Sequence, residues 1–126
     1  MKRQVIKLGP TSAGGAFTSS KTETPSILGK LYAIEYRPGT LDTGASVTVT
    51  CEGDASKPLL TKTSAGTSNL WFYPRDLVHG VADGAALTGT AGGDRCMPIL
   101  NGYIKVVIAS GGNAVAGGSL IAYYEE

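Results

Sequence analysis

The stretch YIKVVIA at residues 103–109 is followed by the glycine-rich link GGNAVAGG at 111–118 and then by SLIAYY at 119–124. Two runs of β-branched and aromatic residues separated by glycines are typical of an antiparallel hairpin. The glycines supply the positive φ angles that a chain reversal needs, and neither run contains the proline that would keep it out of a sheet interior. The sequence therefore predicts that this hairpin forms the centre of an all-β domain.

Two earlier segments alternate between apolar and polar residues with the period of a half-buried strand. In residues 45–52, the side chains predicted to point inward are Val47, Val49 and Cys51. In residues 31–37, one face carries Tyr32, Ile34 and Tyr36, and the other carries Leu31, Ala33, Glu35 and Arg37. Because residues 38–44 have the composition of a turn, we predict that these two strands pair with each other across it.

Further short β runs are predicted at residues 4–8, 58–63, 70–73, 85–88 and 97–100. Asn101-Gly102 is a tight-turn signal, so residues 97–109 are predicted to form a second hairpin. No segment keeps a helical period over the ~10 residues that a helix prediction needs. The pattern favours an all-β fold, a jelly-roll-like antiparallel β-sandwich with a mainly irregular N-terminal arm.

The chain of 126 residues is predicted to fold as one domain preceded by an arm. The arm spans residues 1–26 and the β-sandwich spans residues 27–126. Residues 11–25 are rich in Ser, Thr, Gly and Ala, with Phe17 as their one large apolar side chain. Such a segment cannot bury enough surface to fold alone. Two interpretations stay open: a mobile arm, or an arm ordered by contact with neighbouring subunits.

Composition argues against several classes of partner. The net charge is +1 and the one tight basic cluster is Lys2, Arg3 and Lys7, so we predict no nucleic-acid partner. No stretch reaches the ~18 apolar residues of a membrane span, and the start lacks the apolar core of a signal peptide. We therefore predict folding in a reducing cytoplasm, with Cys51 and Cys96 both buried and unbridged.

Candidate chemistry centres on His79, the one histidine, which Asp76 and Asp83 flank. A carboxylate–imidazole pair can serve as a general base or bind one metal ion. A lone histidine in such a loop is more often a hydrogen-bonded structural residue, and Ser64, Ser68 and Cys96 lie outside any nucleophile elbow. The glycine pairs at 92–93 and 111–112 do not match a phosphate-binding loop. We predict no enzyme activity, no metal and no cofactor.

The densest aromatic cluster is Trp71-Phe72-Tyr73, in which alternation places Trp71 and Tyr73 on one face and Phe72 on the other. Three interpretations stay open: core packing alone, core packing with a subunit contact, or a platform for a ligand or glycan. Trp, Tyr and Arg dominate interface hot spots. The residues predicted to form a subunit or capsid interface are Trp71, Tyr73, Arg75, Arg95, Lys2 and Arg3.

Three segments carry a family resemblance: PGTLDTGA at 38–45, WFYPRDLVHG at 71–80 and GGDRCMPI at 92–99. Together they resemble small β-sandwich virion proteins of tailed bacteriophages, closest to capsid cement or decoration proteins, over residues 27–126. The resemblance implies a structural protein that binds the major capsid protein on the outer head surface and stabilises the capsid, as a homotrimer. It also implies location in the virion after synthesis in the host bacterial cytoplasm.

Three other functions compete with this expectation. The first is also a virion protein, but one located in the tail, the neck or a head fibre, as an adaptor or receptor-binding protein. Glycan recognition by Trp71 or Tyr73 would favour it. A small hydrolase or metal enzyme would centre on His79, Asp76 and Asp83. An adhesin-like secreted module is disfavoured because no signal peptide is recognisable.

Overall fold

A computed structural model describes residues 1–11, 17–20, 26–53, 56–77, 95–113 and 117–126. These residues contain strands and turns and no helix, so none of them forms a helix able to cross a membrane. The strands are β1 (Lys2–Lys7), β2 (Phe17–Ser20), β3 (Ile27–Gly39), β4 (Ser46–Glu52), β5 (Lys57–Lys62), β6 (Leu70–Phe72), β7 (Asp76–Leu77), β8 (Arg95–Cys96), β9 (Ile99–Ala109) and β10 (Gly117–Glu125). The predicted all-β class is confirmed. The strand predicted at 85–88 lies outside the described residues.

Eight strands form one antiparallel sheet, and β7 and β8 pair as a separate ribbon. The sheet has two halves, which we call the first half (β1-β10-β3-β6) and the second half (β2-β9-β4-β5). They are joined where residues 27–30 of β3 pair with residues 99–102 of β9. This order, with neighbours in the sheet far apart in the chain, is compatible with the predicted jelly-roll-like sandwich.

One buried cluster draws side chains from both halves, as two sheets that cover each other would. The inward-facing Val47, Val49 and Cys51 of β4 are confirmed. Each fully buried aliphatic side chain contributes about 2 kcal/mol of transfer free energy. The buried cluster also contains residues from the other strands, including Ile6, Ile34, Tyr36, Leu100, Ile104, Val106, Ile108, Leu120 and Ala122. For β4, the alternation that predicts the strand thus also identifies its core residues.

The predicted hairpin of residues 103–124 is wrong in its pairing, although both strands exist. β10 lies between β1 and β3, whereas β9 pairs with β2, β3 and β4. The start of the glycine-rich link, directly after β9, is held by contacts with residues far away in the chain. Asp42 N donates to Gly111 O at 3.0 Å, and the Thr11 hydroxyl donates to Gly112 O.

Two further pairing predictions are also wrong. β4 pairs with β5 and β9 and not with β3, because both edges of β3 are already occupied by β10, β6 and the start of β9. The predicted Asn101-Gly102 turn lies inside β9, which runs on through it. Gly102 has a positive φ of 139° at the point where β9 stops pairing with β3 and begins to pair with β4. A glycine in a strand often marks such a bend.

The predicted face of Tyr32 is wrong because β3 contains a bulge. Tyr123 pairs with Ala33 and Tyr124 with Leu31, which leaves Tyr32 as the extra residue. Leu31 and Ile34 consequently both belong to the core, although three residues separate them, and Tyr32 is exposed. Beyond the bulge, Ala33, Glu35 and Arg37 have the opposite orientation to the core residues Ile34 and Tyr36. The exposed Tyr32 becomes part of the surface described below.

The N-terminal residues belong to the sheet and do not form a separate arm where they are described. The strand predicted at 4–8 is confirmed as β1, which pairs with β10 along its length. Ile6 and Leu8 are fully buried in the core, and β2 adds a strand beside β9. A boundary at residue 26 therefore separates no structural unit, because the core needs side chains from before it.

The two thiols differ in their surroundings. Both cysteines are unbridged, and Cys51 is buried in the core as predicted. Cys96 is exposed on β8, so the prediction that both thiols are buried is wrong for this residue. On the short β7–β8 ribbon, Cys96 Sγ contacts the Asp76 carbonyl oxygen at 3.7 Å.

Gly102→Ala is expected to lower the free energy of unfolding by about 3 kcal/mol, as a forced left-handed residue and a backbone clash would. A Cβ at this position would collide with the Glu52 carbonyl on the neighbouring strand. Gly44→Ala is the matched control, because no atom lies within 4 Å of its added Cβ. Urea denaturation measures both. Equal losses for the two variants would contradict the strained crossing at Gly102.

Candidate functional site

Apart from Met1 at the chain start, the large exposed apolar side chains of the described residues lie on the outward side of the first half or directly beside it, at the start of β9 and just after β6. Strand register places them together. Val5, Ile121, Glu35 and Trp71 form one row across β1, β10, β3 and β6. We call this surface the aromatic face and define it by Val5, Leu28, Tyr32, Trp71, Tyr73 and Ile99.

The aliphatic end of the aromatic face lies where β3 and β9 begin to pair. Leu28 opposes Asn101 and Lys30 opposes Ile99, so Leu28 and Ile99 are diagonal neighbours on the outward side. Their side chains are 70% and 59% exposed. Contiguous exposed apolar surface of this sort marks an interaction site more often than chance does.

The outward face of the second half has a different chemistry. It presents the half-buried Ser46, Thr48 and Thr50 of β4 beside Lys105 and Val107 of β9. The hydroxyl groups of such a surface hydrogen-bond to water, and antiparallel sheets commonly leave one face solvated. The asymmetry between the two outward faces makes the aromatic face the better candidate for a binding surface.

The aromatic side chains are held in place by ring contacts. Trp71 stacks on Tyr123, with ring centroids 5.2 Å apart and planes 25° from parallel. Tyr32 and Tyr73 meet edge to face at 6.1 Å. Arg75 lies 5.6 Å over the Tyr32 ring and donates to the Tyr32 carbonyl at 2.9 Å. Rings fixed in this way lose little conformational entropy when they bind, which favours affinity.

A buried carboxylate lies beneath the rings. Glu35 is 5% exposed. Arg37 donates to both of its oxygens, from Nε at 2.8 Å and from Nη2 at 3.2 Å, and the Tyr123 hydroxyl donates to Oε1 at 2.9 Å. The Arg37 hydrogen bonds hold the pKa of Glu35 below its ordinary value against the opposing effect of burial, with Tyr123 assisting. Glu35 therefore stays ionised and fixes Tyr123 under Trp71.

This carboxylate makes the stability of the protein pH-dependent. A lowered pKa contributes stability above the ordinary value of 4.5, and the contribution is lost as the pH falls through the folded-state pKa. Glu35→Gln is expected to cost about 2 kcal/mol at neutral pH, as lost charge-assisted hydrogen bonds do. The difference in the free energy of unfolding between wild type and variant should shrink in urea titrations as the pH is lowered below 4.5, through the folded-state pKa of Glu35. A difference that stays constant with pH would contradict the ionised network.

The structure places the sequence-predicted interface residues in three locations. Trp71 and Tyr73 lie on the aromatic face at 49% and 56% exposure, while Phe72 packs against the core as alternation predicts. Arg75 and Arg3 join them, Arg3 through its register with Tyr123. Lys2 has the opposite orientation and forms an ion pair with Glu126 at 2.8 Å, and Arg95 lies on the separate ribbon opposite Leu77.

Sequence reasoning missed the residues that complete the surface: Leu28, Tyr32, Glu35, Ile99 and Tyr123. Glu35 and Tyr123 are far apart in the chain and meet only because β10 lies beside β3. The one available signal was the position of Glu35 inside an apolar strand, where a charged residue needs a partner. Leu28 and Ile99 give no signal, because single apolar residues on a surface are common.

Two residues of the alternative site, His79 and Asp83, lie outside the described residues. Asp76 is described and forms an ion pair with Lys57 at 2.8 Å. Within the described part of the chain, no group of three or more His, Cys, Asp or Glu side chains is arranged to hold a metal ion. Asp76 is therefore engaged in a structural contact.

Comparisons of this chain with family models, curated proteins and solved structures found no match. The function proposed below is therefore argued from the aromatic face, from its difference from the outward face of the second half, and from the sequence motif that contributes to it. Of the three motifs quoted above, the one at 71–80 supplies Trp71, Tyr73 and Arg75 to that face.

Proposed function

We propose that this chain is a structural protein of a bacteriophage virion, a capsid decoration protein that binds the outer head surface. In this proposal it is not an enzyme, its partner is the major capsid protein, and it stabilises the shell, acting as a homotrimer. The observation that carries the proposal is the aromatic face: a preorganised surface of exposed rings and aliphatic side chains on one side of an antiparallel β fold.

The fold suits a protein that stabilises a shell mechanically. Long antiparallel strands with a shared core make a stiff body, since close-packed interiors transmit strain. Trp71 and Tyr73 are of the residue types that dominate interface hot spots, and Arg75 adds a third. A stiff body attached to neighbouring capsid subunits resists their separation. Symmetric copies convert modest single contacts into strong retention.

The resemblance supports the identity of the partner. WFYPRDLVHG at residues 71–80 resembles virion proteins of tailed phages, and the beginning of this segment builds the centre of the aromatic face. PGTLDTGA at 38–45 forms the connection after β3, where Ala45 N donates to Asp42 O at 3.0 Å. The same motifs thus contribute both to the surface and to the loop that leads from the first half to the second.

The proposal is tested by adding the purified protein to shells of the phage that encodes it, after the native copies have been removed. We expect saturable co-sedimentation with the shells and a higher temperature of shell disruption. Sedimentation velocity of the free protein gives its oligomeric state. Absence of binding to intact shells at any concentration would contradict the proposal.

A role in the tail, neck or a head fibre is the second candidate, and the exposed rings favour it. Trp71 and Tyr73 leave about half of their surface open, and Tyr and Trp are enriched at binding interfaces. Labelling of whole virions with an antibody against the chain separates the two functions. Label on the head supports decoration, whereas label confined to the tail, together with binding on a glycan array, supports receptor binding.

A further inference from the structure

The aromatic face is bordered by an excess of positive charge. Lys7 and Arg37 flank Ser119 in one cross-strand row, and Lys30 lies opposite both Ile99 and Glu125. Glu35 is already engaged by Arg37 and Tyr123 beneath the rings. Among the described residues, the cations that border the surface are Arg3, Lys7, Lys30, Arg37, Lys57 and Arg75, against the carboxylates of Glu35, Asp76 and Glu125. The surface is therefore locally basic in a chain of net charge +1.

This charge pattern argues against a second copy of the chain as the occupant. A two-fold contact of the aromatic face with itself would bring the same cations together, because a two-fold interface joins identical patches. Like charges brought face to face in an interface cost several kcal/mol. The complementary partner must instead present negative charge around an apolar centre.

The aliphatic part of the surface favours a protein over a nucleic acid. Leu28 and Ile99 are among its most exposed side chains, and neither stacks on a base nor contacts a phosphate. Nucleic-acid surfaces pair cations with aromatic rings along a charged groove. A protein surface offers both the aliphatic side chains that would cover Leu28 and Ile99 and the carboxylates that would pair with Lys7 and Lys30.

We propose that the aromatic face binds an acidic protein surface, with its rings and aliphatic side chains at the centre and its lysines and arginines at the rim. This rests on the proposed function, because it takes that acidic surface to be on the outside of the phage shell. Rim charges act mainly on the association rate and its salt dependence, while the desolvated centre supplies most of the affinity.

The test compares two double variants with the same change in net charge. Lys7→Glu with Lys30→Glu alters the rim of the aromatic face, and Lys62→Glu with Lys105→Glu alters the second half of the sheet. We expect the first pair to weaken binding to shells at least tenfold at low salt, with a smaller loss at high salt, and the control pair to change binding less than twofold. Equal losses for both pairs, or no loss for either, would overturn the inference.

A second measurement separates this inference from the shell function. Trp71 is the one tryptophan of the chain, so its fluorescence reports on the aromatic face directly. A synthetic peptide of alternating Glu and Leu should shift the Trp71 emission, and a Lys–Leu peptide should not. If shells fail to bind but the acidic peptide does, the shell assignment fails and the inference stands. If the acidic peptide has no effect, or a DNA oligonucleotide binds this face more tightly, the inference is wrong.

Discussion

Ile6→Asp is expected to unfold the protein, whereas Val5→Asp is expected to leave it folded. Ile6 is fully buried in the core from its place on β1, and Val5 is 44% exposed on the opposite side of the same strand. A carboxylate without a partner in a core costs about 4 kcal/mol or more, a large part of the 5–15 kcal/mol that stabilises a typical domain.

Circular dichroism and urea denaturation of both variants check this result. The pair is a test of register as well as of strand formation, because a slip of one residue exchanges the two faces of a strand. Unfolding by Val5→Asp with tolerance of Ile6→Asp would show that β1 pairs with β10 in another register. Tolerance of both variants would show that residues 2–7 form no part of the body.

Trp71→Ala is expected to lower the affinity for the shell at least 30-fold, since loss of a central interface tryptophan typically costs ~2 kcal/mol or more. Trp71 belongs to the aromatic face and stacks on Tyr123, beside the network of Glu35. The free energy of unfolding is expected to fall by only about 1 kcal/mol, the usual contribution of one aromatic pair. Quantitative co-sedimentation and urea denaturation measure the two effects separately.

Thr61→Ala on β5 is the matched control, because Thr61 is exposed on the second half of the sheet, away from the aromatic face. Its affinity should equal that of wild type. Full shell occupancy by Trp71→Ala at wild-type concentrations would remove the aromatic face from the proposed function. Equal losses for Trp71→Ala and Thr61→Ala would point to a contact through another surface.

Local patterns in the sequence are sufficient to predict most of the strands. β4 alternates without a break, so its inward residues Val47, Val49 and Cys51 follow from period two alone. β1 is predicted for the same reason, although its place in the sheet is not. β2 was missed because Phe17 is its one large apolar residue, too little for any periodicity to show.

Pairing could not be predicted, because consecutive strands mostly alternate between the two halves of the sheet. Strands adjacent in sequence are neighbours in space about two-thirds of the time, and the pairing assumed for β9 with β10 and for β3 with β4 follows that tendency. Here the tendency is outweighed by long-range contacts. The Thr11 hydroxyl and Asp42 both bond to the link that separates β9 from β10.

The candidate site was predictable to the extent that it is local in sequence. Trp71, Tyr73 and Arg75 lie within one segment, and their residue types indicate an interface. Glu35 and Tyr123 were not predictable, because the register of β10 against β3 brings them together. The exposure of Tyr32 was not predictable either, since it depends on a bulge that reverses the alternation of β3.

Cryo-microscopy of shells reconstituted with the purified chain would show which side of the β fold meets its partner. We expect density on the outer head surface with the β1-β10-β3-β6 side against the shell and acidic capsid side chains around Trp71. Density in which that side is open to solvent and the Thr48-bearing side contacts the shell would contradict this expectation.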